Sequence, residues 1–101
     1  DMTNVDIQEL VNEVCITFLD ADGNVISSSF VKDDVKELAV PTMTVPAGQQ
    51  FIGWFTETVD AAGTITLTEV FEPGVDGVIA IPAGTTLVPM VLQPVFESEA
   101  G

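Results

Sequence analysis

Val14-Cys15-Ile16-Thr17-Phe18-Leu19-Asp20-Ala21-Asp22-Gly23-Asn24-Val25-Ile26-Ser27-Ser28-Ser29-Phe30 holds two apolar-rich runs around one turn signal, and their pairing decides the fold. Asp stands first and Gly fourth in Asp20-Ala21-Asp22-Gly23, which suits a type I turn with the glycine in the left-handed region. In a hairpin this becomes a three-residue loop with a bulge at the glycine. Asp20 then faces Asn24, Phe18 faces Ile26 and Val14 faces Phe30, so that Val14, Ile16, Phe18, Ile26 and Phe30 share one face. A two-residue loop at Asp22-Gly23 would instead set Phe18 and Ile16 against Ser27 and Ser29. A slip of one residue carries every side chain to the other face. The register that keeps the apolar set together is the expected one, with strands at about 13–20 and 24–31.

The same turn chemistry recurs at Asp60-Ala61-Ala62-Gly63, between Phe51-Ile52-Gly53-Trp54-Phe55-Thr56 and Thr64-Ile65-Thr66-Leu67-Thr68-Glu69-Val70-Phe71. The alternating threonines predict a strand with one polar and one apolar face. Gly53 marks a bulge or a close approach of neighbouring backbone. Between the hairpins, Lys32-Asp33-Asp34-Val35-Lys36-Glu37-Leu38-Ala39 offers a capping box at Asp34 and Glu37, with Val35, Leu38 and Ala39 on one helical face. One or two helical turns are expected there. Val45-Pro46-Ala47-Gly48 and Ile81-Pro82-Ala83-Gly84 echo each other, and reuse of one turn explains them more simply than a duplication. The closing run, Leu87 to Phe96, contains Pro89 and Pro94, each lacking a ladder donor, so it reads as an edge strand or a bulged one.

At the start, Ile7, Leu10, Val11 and Val14 lie at helical spacing behind a cap at Asp6 and Glu9, so residues 1–11 read as a short helix or an N-terminal linker. Residues 12–97 form a single β-rich domain and 98–101 a solvated tail. The fold class is mainly β, α+β at most.

Composition excludes several functions. Apolar residues make up 47% of the chain and the mean hydropathy is +0.43, enough to drive a core despite the charge. Lys32 and Lys36 are the only basic residues against 16 Asp and Glu, a net charge of −14. A chain of that sign repels nucleic-acid phosphates and anionic membrane surfaces. No apolar run approaches the length of a membrane span. The chain begins at an Asp, which reads as a piece excised from a longer parent chain with neighbouring domains. The acidity itself reads as solubility rather than as a binding code.

Catalysis is not expected. Without His or Arg no Ser-His or Cys-His arrangement can be built, and no two carboxylates are singled out by an apolar surround. Cys15 cannot form an internal disulfide, and within its apolar run it reads as a buried, inert thiol. Asp20, Asp22 and Asn24 occupy the first three ligand positions of an EF-hand-like Ca²⁺ loop, but Val25 and Val31 stand where that loop needs Gly and a bidentate acid. A turn explains Asp20 and Gly23 better than a metal does. Asp33, Asp34 and Glu37 form a second, similarly discounted cation candidate, and no cofactor is expected. Trp54 is the one candidate binding residue, as a sugar-stacking or partner-anchoring side chain. Its neighbours Phe51, Ile52 and Phe55 favour a place in the core.

Phe51-Ile52-Gly53-Trp54-Phe55-Thr56 resembles the aromatic-x-Gly-Trp-aromatic-Thr segment of the Listeria–Bacteroides repeat family, the internalin B-repeat-like modules of bacterial surface proteins. Pro41 and Pro46 precede it, and Leu92-Gln93-Pro94-Val95-Phe96-Glu97 is similar to the closing strand of the family, with Phe96 in the final aromatic slot. The resemblance runs from about residue 12 to 97. Pro94 departs from the usual small residue, and the stretch from Phe71 to Val91 is longer than in a typical repeat. The resemblance implies a β-grasp-like curved sheet of four to five strands, and export as an adhesion, interaction or spacer unit of a Gram-positive or gut-bacterial surface protein. The alternative from another class is a carbohydrate-binding or accessory module of a secreted enzyme, which expects Trp54 or several Phe residues exposed together.

Overall fold

In the computed structural model, which describes residues 12–74 and 77–99, the first hairpin meets expectation at its tip and departs from it one residue below. Strands β1 (Glu13–Leu19) and β2 (Val25–Lys32) are antiparallel. The N–H of Asp20 donates to the carbonyl of Asn24 at 2.8 Å and that of Gly23 to the carbonyl of Asp20 at 3.1 Å, which is the expected three-residue loop. Leu19 accordingly pairs with Val25. The register then shifts between Phe18 and Leu19, so Phe18 faces Ser27, Ile16 faces Ser29 and Cys15 faces Phe30. The rejected pairing of the body of the hairpin is the observed one, reached through the accepted turn. The bulge moves Ile26 and Phe30 out of the core set and leaves both exposed. The pattern argument failed because it assumed that β2 must bury its apolar residues, and β2 lies at the edge of the sheet.

The second hairpin joins β4 (Gln49–Val59) to β5 (Ile65–Phe71) through the Asp60–Gly63 turn, with the same two backbone hydrogen bonds as the first. The echoed prolines also make one turn twice. Gln49 N–H donates to the Pro46 carbonyl and Thr85 N–H to the Pro82 carbonyl, each at 3.1 Å.

Strand β7 (Met90–Ser98) corrects the expectation of an edge position, because it lies in the centre of a five-stranded mixed sheet ordered β2-β1-β7-β4-β5. It runs parallel to β1 over Met90–Leu92 and antiparallel to β4 over Gln93–Ser98. The ladder with β1 ends at Leu92, so Pro94 sits where no donor is needed on that side. The register shift against β4 lies between Phe51 and Gly53 of β4, so the bulge is in the facing strand rather than in β7. Pro89 precedes the strand.

A two-stranded sheet, β3 (Glu37–Ala39) with β6 (Val78–Ala80), forms a second layer. The segment expected to make helical turns is therefore a turn followed by a strand. Its partner strand, distant in sequence, satisfies the backbone better than a two-turn helix would, since such short helices are marginal alone. Hydrogen bonds from Ile81 N–H to the Lys36 carbonyl at 2.8 Å and from Leu87 N–H to the Asp33 carbonyl at 2.9 Å tie the two halves of this layer together. Leu38, Ile79, Ile81 and Leu87 close over Ile16, Phe18, Trp54, Phe71 and Leu92 of the main sheet. Ser98 ends β7 and Glu99 N–H donates to the Gly48 carbonyl at 3.0 Å, so the solvated tail expected from residue 98 is held at its first residues. The possible helix or linker at 1–11 lies outside the described residues.

Candidate functional site

Alternation along paired strands gives the main sheet two faces. One packs on the second layer. The other bears Cys15, Thr17 and Leu19 of β1 beside Ser28 and Phe30 of β2, and Val91, Phe55 and Leu67 of β7, β4 and β5. No described segment covers this outer face. Phe30 is 70% exposed, Ile65 60% and Leu67 46%. The threonine-alternating strand β5 is thus exposed on both faces until Phe71, where the sequence predicted one buried face. Scattered exposed apolar residues are ordinary on a domain of this size; here those of the outer face lie on both edge strands.

Cys15 belongs to this outer face and is only half-buried, which corrects the reading of a thiol enclosed in the core. Its Sγ lies 3.5 Å from Ser28 Oγ and 3.8 Å from Thr17 Oγ1, and the two hydroxyls are 2.9 Å apart. The cluster contains no base that would activate any of the three groups.

Trp54 is 0% exposed and does not reach the surface. It meets Phe18 and Phe51 edge to face, with ring centroids 4.8 and 5.3 Å apart. Such pairs add about 0.5–1.5 kcal/mol beyond area burial. The residue singled out for possible binding is a core residue in this arrangement, as its neighbours indicated.

Asp20 closes its own loop rather than presenting ligand oxygens. One carboxylate oxygen, Oδ1, accepts the backbone N–H groups of Asp22 and Asn24, each at 2.9 Å, while Oδ2 accepts Asn24 Nδ2 at 3.4 Å. Asp60 Oδ1 does the same with Ala62 and Thr64 at 2.9 Å. Asp20, Asp22 and Asn24 are the calcium candidates that the sequence discounted in favour of a turn. Asp20 and Asn24 are brought together here by the turn itself. Among the described residues, which include Asp33, Asp34 and Glu37, no three His, Cys, Asp or Glu side chains converge to hold a metal ion.

The Asn24 amide, and after it the Asp22 amide, hold the Asp20 carboxyl below its ordinary value of 3.8. A depressed carboxyl contributes stability that is present above the unfolded value and lost as pH falls through the folded one. Asp20→Asn keeps an acceptor but cannot titrate. Its thermal midpoint should therefore fall less steeply with acid than that of the wild type below 3.8, in circular-dichroism melts taken through that range. Identical acid dependence in the two proteins would remove Asp20 from the account.

An open groove of about 940 Å³ runs between the end of β5 and the segment after β6, lined among others by Phe71, Pro73, Ile79, Leu87 and Met90. Sequence reasoning missed it although its walls all come from Val70–Met90, because no local pattern in that stretch foretold β6 or the path of the chain after it. Its lining is mostly apolar and includes Thr85, Thr86 and Glu72. Among the described residues, no helix is long and apolar enough to cross a membrane. Comparison of the chain with family models, with curated proteins and with solved structures found no match.

Proposed function

We propose that this chain is a non-catalytic module of a bacterial surface or secreted protein, acting as an adhesion, interaction or spacer unit between neighbouring domains. It is similar in this reading to the Listeria–Bacteroides repeat modules. The observation that carries the reading is the segment Phe51–Thr56 of β4, whose Gly-Trp pair is buried in the core rather than presented at the surface. A recurring segment whose role is to build the core suits a repeated scaffold better than a reactive one. The β-grasp-like detail draws support from the strand order, in which two hairpins flank a last strand parallel to the first. Support for the interaction role comes from the uncovered outer face.

The carbohydrate-binding alternative asked for Trp54 or several phenylalanines exposed together. Trp54 is enclosed, and Phe30 is the one aromatic among the exposed large hydrophobic residues. A flat stacking platform is not assembled from these.

Antibodies raised against the module provide the test on cells that express the parent protein. Staining of intact cells, or recovery of the module in the culture medium, is the expected result. Staining that requires permeabilisation would sink the surface assignment.

A further inference from the structure

The main sheet ends on both sides in strands whose outer backbone edges are unpaired among the described residues. Native sheets blunt such edges with proline, charge, bulges or short length, because an open edge templates further pairing. Here the protection is thin. β2 spans Val25–Lys32 and β5 spans Ile65–Phe71, and neither contains proline. Each has one bulge, near Ile26 in β2 and near Val70 in β5, which leaves Ser27–Val31 and Ile65–Glu69 regular.

The two edges are complementary in three respects. They run in opposite directions, since β1 and β7 are parallel while β2 and β4 are each antiparallel to one of them and β5 reverses β4. A second copy placed beside the first in the same orientation therefore offers an antiparallel partner. Their charges also differ. β2 has no carboxylate and ends in Lys32, one of two cations in the chain, whereas β5 carries Glu69 and no cation. On the outer face, finally, each edge exposes apolar side chains, Phe30 on β2 and Ile65 and Leu67 on β5.

We infer that β2 of one copy of this module pairs antiparallel with β5 of the next, extending the sheet head to tail. With Phe30 set opposite Leu67 of the neighbouring copy, Ser28 meets the Glu69 carboxylate and Lys32 lies at Ile65, beside the Asp60 turn. Backbone hydrogen bonds supply the attraction in such strand addition, and the alternate side chains supply register. The contact is heterologous, so unless its rotation closes a ring it builds open chains of modules. Strong like charge opposes it at low ionic strength, and screening favours it. This inference stands on the sheet edges and is independent of where the parent protein resides.

Sedimentation velocity of the full chain tests it, at protein concentrations up to about 1 mM and in about 0.05 and 0.5 M NaCl. The wild type is expected to form a concentration-dependent series of oligomers that grows with salt. Phe30→Glu disables only the β2 edge and Leu67→Glu only the β5 edge, and the two altered edges repel each other because their carboxylates would stand directly opposite. Each variant alone should lose self-association by about tenfold or more while keeping the wild-type melting temperature. An equimolar mixture still has one intact β2 and one intact β5 edge, on different molecules, and should yield a dimer and nothing larger. A wild type that stays monomeric throughout overturns the inference. So does a mixture that stays monomeric, and so does either variant assembling alone as the wild type does.

Discussion

Trp54→Ala should lower the free energy of unfolding by about 3–5 kcal/mol, the range for removing a large aromatic side chain from a packed core. Trp54 has no exposed surface and joins three strands, pairing with Phe71 of β5 and Pro94 of β7 and stacking edge to face on Phe18 of β1. A domain of this size has about 5–15 kcal/mol in total, so the variant would sit close to unfolded. Urea titration followed by far-ultraviolet circular dichroism measures the loss, since the chain has no other tryptophan to report by fluorescence. Trp54→Phe separates packing from hydrogen bonding. The indole Nε1 is buried with no partner, and an unmet buried donor costs about 1–3 kcal/mol. Phenylalanine keeps an aromatic ring and removes that donor, so its loss should be less than half that of alanine. Equal losses for the two variants would show that the edge-to-face contacts contribute little.

Gly53→Ala should cost about 3 kcal/mol, from the neighbouring position and for a different reason. Gly53 has a φ of 151°, which side chains rarely adopt. A Cβ built there lies 2.7 Å from the Phe71 carbonyl oxygen and 3.1 Å from Glu69 Oε2. The carboxylate can swing away, but the carbonyl belongs to the backbone of β5 and cannot move without disturbing the Trp54–Phe71 pair. Register shifts on both sides of β4 converge here, one toward β7 between Phe51 and Gly53 and one toward β5 between Trp54 and Phe55. Gly23→Ala is the control. Gly23 also has a positive φ, of 89°, but a Cβ there meets nothing within 4 Å. Only the backbone term of about 1 kcal/mol remains. If chemical denaturation gave Gly53→Ala no larger a loss than Gly23→Ala, the close approach of β5 would carry no energetic weight.

Much of this was legible in the residues. Asp20 and Asp60 announced both turns, because an Asp carboxylate can accept the amides two and four residues on without help from the rest of the chain. Gly53 announced a bulge or a close approach, and both are present. Trp54, among Phe51, Ile52 and Phe55, announced core. The turn preferred over calcium for Asp20, Asp22 and Asn24 is formed, closed by the Asp20 carboxylate. In each case the decisive interaction lies within a few residues along the chain.

The failures share the opposite property. Phe30 was assigned to the core because apolar residues of one strand were assumed to face one interior, yet β2 has a neighbour on one side only. Lys32–Ala39 was read as helical from local spacing, whereas β6, some forty residues further on, supplies its hydrogen bonds. Pro94 was read as an edge marker, and it is tolerated in the central strand because β1 stops pairing at Leu92. By itself the sequence determined the class of fold, the two Asp-closed hairpins and the aromatic centre, all through short-range hydrogen bonding and hydrophobic content. The tertiary structure alone decided which strand lies in the middle, which faces stay open and where the register shifts. Those depend on which distant segments compete for the same backbone donors and the same apolar surface, and no local pattern records that competition.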